Sequence, residues 1–512
     1  MGLGSWIKNI SVTTDPVAAQ PASTPNQPPT KRQIYQNRFN HGPNLGAMFV
    51  LEKWICDGPF GEKAKGTSEL DAVKSCRKQH GESKAKEIFE DHWRNWMQDD
   101  DWKWLREHGV TAVRAPVGYW MVNNGAFADN TPFEKYAKIY SNAWNIFKEC
   151  VLTKADQYGI AVLVDLHGLP GGANEQDHSG TCLGKADLWE STKNQNQAFE
   201  VLQFLAEDIK PFDNVCGLQI LNEAPFDTGP EGASKPQQEF YLKAMQKIRQ
   251  VNMEIPLVIS DAWDLPQWVE FVKRQESRWP PNDPQSMGVI IDTHVYKCFS
   301  DDDKNKPPEH LVNDVDNAVM DAPEVDILVG EFSCVLDGQS WDKHHNQTSR
   351  EDVVRWYGQK EMAHFFHRTR AGCYFWTYKF LHGRGGEWDF REMTDKGAIP
   401  NVKVQHNRDH DFFTQEFQRR FHDKVGQHAG YWQSVDPNRD WEVWRFQEGF
   451  TQGWNDSAAF DAFDNSEIGR LAAWIKSREN QHIKERGYSD LTWTYGHGFR
   501  QAVFEFIDAK RQ

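Results

Sequence analysis

The chain has 512 residues, 39% of them hydrophobic and 26% charged, and a formal net charge of −16. That acidity excludes nucleic acid and anionic membrane as expected partners, because both select basic patches. No run of 18 apolar residues offers a transmembrane helix, and the length suits one barrel of roughly 250–400 residues plus a further module.

Residues 1–30 are rich in Pro, Thr, Ser, Gln and Ala with few large apolar groups, and read as a disordered tail. The opening MGLGSWIKNI is a poor secretory signal. Trp6 also stands where a myristoylation pattern wants Ser or Thr. The expected location is cytoplasmic, with secretion as the alternative. Sequons at Asn9, Asn346 and Asn455 would permit glycosylation.

From residue 31 onward, apolar strand-like runs alternate with helix-length segments. The runs are Asn44–Leu51, Ala112–Gly118, Ala161–Leu166, Val215–Leu221, Pro256–Asp261, Gly288–Thr293, Asp326–Val329 and Gly372–Thr377. Several are continuously apolar, as strands buried on both faces should be. Asp91–His108, Thr131–Tyr158, Asn194–Asp208 and Gln237–Val251 read as helices between them. The alternation predicts an α/β fold, a (β/α)8 barrel over residues 31–402. Residues 403–512 read as a mainly helical, aromatic-rich region packed on it. Two segments there, Glu448–Phe460 and His497–Ala509, share a GF-x-Q core and suggest a tandem helical motif. Trp432, Trp441, Trp444, Phe450 and Trp454 read as docking residues.

The chain holds 22 tryptophans. Flat indole faces suit the C–H face of a sugar ring; most are expected in the core and a handful at a site. Eight cysteines at this length are no disulfide framework. Cys216, Cys298, Cys334 and Cys373 read as buried thiols. The glycines after His167 (GLPGG) lack the spacing of a nucleotide loop. No HExxH or paired CxxC occurs, so no metal and no cofactor is expected. Asp301–Asp303 reads as a solvated turn rather than a calcium loop.

Two strand-end segments carry the chemistry. Val215–Leu221 leads into Asn222-Glu223, and Asp326–Val329 leads into Gly330-Glu331. Carboxylates at the C-terminal ends of two barrel strands sit where barrel enzymes keep their catalytic groups. A carboxylate pair is also the minimum kit for breaking a glycosidic bond.

The sequence resembles glycoside hydrolase family 5, in particular its fungal exo-β-1,3-glucanase branch. The resemblance rests on NLGAMFVLE (Asn44–Glu52), VRAPVGYW (Val113–Trp120), LVDLHGLPGGAN…DHSG (Leu163–Gly180), LQILNEAP (Leu218–Pro225), DTHVYKCF (Asp292–Phe299), LVGEFS (Leu328–Ser333) and GCYFWTYK (Gly372–Lys379). It implies Glu223 as acid/base and Glu331 as nucleophile, with Arg114 holding the nucleophile ionised. His167 and Asn222 would surround the first sugar, His294 and Tyr296 would flank the carboxylates, and Trp376 would floor the terminal-glucose subsite. Glu52 would bind that glucose, Asp177 would help close the pocket, and Phe299 would be half of an aromatic clamp on the outgoing sugar. Three positions depart from the branch. Gln176 replaces the other clamp phenylalanine, His178 replaces an asparagine, and Gly46-Ala47-Met48 replaces GGW.

The expected protein is a retaining, exo-acting β-glucosidase or exo-β-1,3-glucanase acting on a β-glucoside or β-glucan. The alternatives are an intracellular β-glucosidase for a lipid, sterol, flavonoid or β-1,6-linked glucoside, a transglycosylase, and a non-catalytic glycan-binding barrel. The chemistry expects the acid to be protonated and the nucleophile ionised.

Overall fold

The computed structural model describes residues 17–19, 27–227, 234–279, 285–345, 347–401, 406 and 408–512. Eight strands run β1 Asn40–Pro43, β2 Ala112–Gly118, β3 Ala161–Gly168, β4 Val215–Gln219, β5 Leu257–Ser260, β6 Val289–Lys297, β7 Asp326–Leu336 and β8 Gly372–Phe375. Their order is β1-β8-β7-β6-β5-β4-β3-β2, and every pair is parallel. The sheet closes on itself where Thr111 N donates to His41 O (2.9 Å) and Leu45 N to Arg114 O (2.8 Å). This is a (β/α)8 barrel.

Its strands are buried on both faces, as their apolar runs require. Ala112, Ala161, Leu163, Cys216, Val258, Ile290, Leu328 and Tyr374 fill part of the interior. The helices bury one stripe each against the outside of the sheet. Thr192–Asp208 is an example. Ser191 caps its start by accepting from Asn194 N, and Ala198, Phe199, Val201, Leu202, Leu205 and Ala206 face inward. Burying each of the larger ones contributes about 1.5–3 kcal/mol.

Several elements differ from the sequence reading. Asn44–Leu51 is not the first strand. It is a buried loop past β1, turned at Ala47 (φ 61°), and it meets β2 at a single bridge, Asn44–Arg114. Apolarity there reflects burial under neighbouring loops, not sheet pairing. Asp91–His108 divides into Glu82–Trp96 and Asp99–Glu107, because the Gln98 backbone N–H takes the Asp101 carboxylate and starts a new helix. Thr131–Tyr158 breaks into short 3-10, α and π segments. Asp301–Lys304 is a helical turn capped by Ser300. Within the expected tail, residues 1–16 and 20–26, including Asn9, lie outside the described residues, as does Asn346; Ala19 N donates to Ser286 O at 2.8 Å.

Four helices follow the barrel: His410–Val435, Val443–Ala462, Leu471–Arg486 and Trp493–Arg511. The two similar segments lie in the second and fourth of these and cross at their glycines. A Cβ on Gly449 would sit 2.0 Å from Tyr495 O, and one on Gly498 would sit 2.2 Å from Phe446 O. The shared glycine is thus the condition for reciprocal backbone approach. Phe446, Phe450, Trp454, Ala502 and Phe506 pack around the crossing.

The stretch between the second and third of these helices plugs the N-terminal end of the barrel. Phe39 N donates to Glu467 O, Gly469 N and Arg470 N both donate to Asn37 O, and Phe463 packs against the barrel interior. Fully buried Arg38 lies over the Phe463 ring, 5.5 Å from its centroid, and donates to Thr111 O. Arg470 Nε reaches Asp326 at the start of β7 (2.7 Å). Among the described residues, no helix is long and apolar enough to cross a membrane. All eight cysteines are unpaired.

Candidate active site

Arg114 on β2 is the hub. Its side chain is fully buried and spends its donors on Gln219 Oε1 (2.8 Å), Asn44 Oδ1 (2.8 Å), Asn222 Oδ1 (2.6 Å) and Glu331 Oε1 (3.0 Å). Asp165 Oδ2 lies 3.0 Å away and Asp292 Oδ2 3.9 Å. Burial opposes the charge, but Asp165, Glu331 and Asp292 prevail and hold the guanidinium above its ordinary pKa.

Two chains of contact run from this hub. On one, Asp165 accepts from His167 Nδ1 (2.7 Å), and His167 Nε2 meets the Asn222 amide nitrogen (3.3 Å). Asn222 gives its oxygen to Arg114, so its amide nitrogen is left for His167. That arrangement fixes the Nδ1–H tautomer of His167. On the other, Asp292 accepts from Gly330 N (2.7 Å), Gln219 Nε2 (2.7 Å) and His294 Nε2 (3.1 Å). Gly330 must be glycine here, since a Cβ would sit 2.2 Å from Asp292 Oδ1.

His294 then presents Nδ1 to both carboxylates, at 2.8 Å from Glu223 Oε1 and 3.6 Å from Glu331 Oε2. One oxygen from each glutamate and this nitrogen all lie within 4.8 Å of one another. Tyr296 donates to Glu331 Oε2 (2.8 Å). Glu331 lies inside β7, which runs on to Leu336 rather than ending at Val329. Glu223 lies beyond β4 in the left-handed region (φ 46°), a costly backbone for a non-glycine residue of the kind found at functional sites. His178 Nε2 lies 3.2 Å from Glu223 Oε2.

The charge distribution differs from the simple expectation of a protonated acid. Burial raises the Glu223 pKa, yet hydrogen bonds from His178 and His294 outweigh it and hold the carboxyl well below the usual range. The imidazoles carry the complement. Burial works against the charge on both rings. Glu223 nevertheless leads in pushing His178 up to about 9, and Glu331 and Asp292 lead in raising His294 well above its usual value. The proton expected on Glu223 therefore rests on its imidazole partners.

These groups open into a cavity of about 780 Å³ lined by Glu52, Trp54, His167, Gln176, Asp177, His178, Glu223, Trp263, His294, Tyr296, Phe299, Ser300, Glu331, Trp376 and Trp388. Nine of the eleven expected site residues are on that wall. Arg114 and Asn222 are fully buried beneath it and act through their neighbours. Glu52 accepts from Trp54 Nε1 (2.9 Å), and burial pushes its carboxyl up to about 7. Trp376 stacks near the His167 ring (6.0 Å, 19°).

Trp54, Trp263 and Trp388 were not anticipated. Trp263, half exposed and in left-handed backbone (φ 65°), lies edge-on to His294 at 6.1 Å. Its place just past β5 was a usable signal. Trp388 packs against Trp54, Tyr296 and Phe299. Trp432 and Trp444, on the C-terminal helices, do not line the cavity. A second cavity of about 530 Å³ shares Trp388 but is lined by Arg350, Arg355 and Lys396 and holds neither glutamate and none of the three histidines.

Known proteins show the same arrangement of modules. The family described as Cellulase (glycosyl hydrolase family 5) matches residues 78–380, and the family described as glucan 1,3-beta-glucosidase 3 C-terminal domain matches 413–510. An uncharacterized glycosyl hydrolase of Saccharomyces cerevisiae is 34% identical over 499 residues, 94% of each chain. Glucan 1,3-beta-glucosidase 3 of Schizosaccharomyces pombe is 34% identical over 490 residues, covering 92% of this chain and 96% of the relative. The crystal structure of rutinosidase from Aspergillus niger shares the fold, with a TM-score of 0.55 at 18% identity over 71% of this chain and 98% of that one. The chain belongs to glycosyl hydrolase family 5 and is an O-glycoside hydrolase.

Proposed function

We propose that the protein is a retaining, exo-acting β-glucosidase that releases terminal glucose from a β-glucan or short β-glucoside, with Glu331 as nucleophile and Glu223 as acid/base. The observation that carries this is the pair of carboxylates meeting across His294 Nδ1 with oxygens within 4.8 Å of one another. Retaining enzymes keep the two carboxyls about 5–5.5 Å apart, whereas inverting ones leave room for a water between them.

In the first step a Glu331 oxygen forms a bond to the anomeric carbon. The bond to the leaving oxygen breaks, and that oxygen takes a proton from Glu223. In the second step water attacks the same carbon and gives its proton to Glu223, and Glu331 departs as a carboxylate. Arg114 and Tyr296 each hold one Glu331 oxygen and stabilise the carboxylate as nucleophile and as leaving group. Because His294 holds a proton against Glu223 at rest, the acid is loaded from His294 Nδ1, 2.8 Å from its Oε1, as the leaving oxygen develops charge.

Exo action is supported by Glu52, Asp177, His178 and Trp376 lining the same cavity as the catalytic pair. Glucan specificity is supported by the name of the Schizosaccharomyces pombe relative. The glutamine at 176 favours a second reading, in which short or non-sugar aglycones are preferred to polymer. Incubation with a laminari-oligosaccharide tests the exo proposal. Glucose should be the first product, and early release of longer oligomers would mean an open cleft.

A further inference from the structure

His178 stands on the 3-10 turn Asp177–Ser179 that follows β3. The turn is tied to the backbone of the residue it faces. Ser179 Oγ donates to Gln176 O (2.7 Å), Gln176 N donates to Asn174 Oδ1 (3.0 Å), and Asn174 Nδ2 donates to the carbonyl oxygen of Glu223 (3.2 Å). From that base the His178 ring packs edge-on to His167 (5.2 Å) and sets Nε2 at 3.2 Å from Glu223 Oε2. His294 Nδ1 already takes Oε1. Each oxygen of the carboxylate thus faces its own ring nitrogen. His178 Nδ1 is buried without a partner among the described residues, so the polar contact of this ring is with Glu223. Glu52 and Glu331 are the other charges that act on it.

We propose that His178 is a positioning residue for the acid/base. Its Nε2–H holds Oε2 of Glu223, so that the carboxyl is aimed for proton delivery in the first step and proton removal from water in the second. His178 keeps its own hydrogen, and the proton that moves is the one on Glu223. This rests on Glu223 being the acid/base.

The test compares an alkyl β-glucoside, whose leaving group needs a proton, with 2,4-dinitrophenyl β-glucoside, whose leaving group does not. His178→Phe keeps a ring against His167 and removes the donor. Its kcat/KM should fall at least about tenfold more on the alkyl substrate than on the dinitrophenyl one, within the range that acid–base catalysis spans. On the dinitrophenyl substrate kcat and KM should fall together, because water attack in the second step loses its aimed base. His178→Gln, which can offer an amide N–H to Oε2, should recover part of the alkyl activity. Equal losses on both substrates, or no loss on either, would overturn the proposal. Glu223→Ala run alongside separates the two readings. If it discriminates between the substrates and His178→Phe does not, the positioning role alone falls. If Glu223→Ala does not discriminate, the acid/base assignment falls and takes the role of His178 with it.

Discussion

Arg114 and Glu331 meet as a buried ion pair, Nη1 to Oε1 at 3.0 Å, with the guanidinium fully enclosed and the carboxylate 8% exposed. The same guanidinium faces Asp165 and Asp292, so it balances several carboxylates in one barrel. Arg114→Met should cost about 3–5 kcal/mol, because it leaves buried charges unpaired. The urea midpoint reports this. Arg114→Lys keeps the charge but not the fork of donors, and should regain much of the stability while hydrolysis of an aryl β-glucoside stays low. A stable, fully active lysine variant would refute the need for the fork.

Glu331→Gln should abolish hydrolysis with the fold intact, since an amide does not form the glycosyl ester. A 2-fluoro-β-glucoside inactivator should label Glu331, and mass spectrometry of the peptides identifies the site. NMR of the first product should show the β-anomer. Labelling of another carboxylate, or an α-anomer first, contradicts the mechanism.

At the pocket mouth, Phe299 is 61% exposed and Trp263 50% exposed, while position 176 offers only a glutamine. An aromatic contact with a second sugar is worth on the order of 1 kcal/mol. Wild type should therefore favour an aryl or alkyl β-glucoside over laminarin, and Gln176→Phe should shift the ratio of specificity constants toward laminarin by roughly fivefold, the equivalent of that energy. A strong laminarin preference in wild type, unchanged by the substitution, would show that Trp263 and Trp388 already complete the clamp.

Much of this was legible in the chain itself, for identifiable reasons. Most of β2 to β8 is buried on both faces, and so these strands appear as largely apolar runs. β1 escapes the apolar pattern because Asn40–Pro43 (NHGP) is short and polar, its interior partners being Arg38 and Thr111 rather than apolar side chains. That Glu223 and Glu331 line one cavity was readable because the C-terminal sides of the strands face it, although β7 runs on past Glu331 to Leu336. The contact of His178 with Glu223 was not, because it depends on how a loop after β3 folds back onto the backbone beyond β4. Trp388 comes from a loop after β8 that has no periodic signature.

Burial pushes Glu52 from 4.5 up to about 7, against the opposing pull of His178 and the Trp54 N–H. The folded protein therefore binds this proton more tightly than the unfolded chain. The resulting stabilisation is complete below pH 4.5 and is lost as pH rises through about 7. Glu52→Gln removes that dependence. Relative to wild type, the variant should gain about 1–3 kcal/mol between the two ends of this window, measured by urea unfolding at each pH. Glu69, also raised to about 7 by burial, is common to both proteins and cancels. A stability difference that does not change with pH would sink the assignment.

The plug at the N-terminal end of the barrel sets an order on synthesis. Arg38 emerges from the ribosome before β1, whereas Phe463, which lies against it, and Arg470, which pairs with Asp326, emerge only after β8. Domains otherwise tend to fold as they are made, N-terminal part first. Here all eight strands are available before the base of the barrel can be sealed. Sealing the base therefore waits on residues 463–470, and a chain cut just before Phe463 would carry Glu223 and Glu331 on a barrel without a floor.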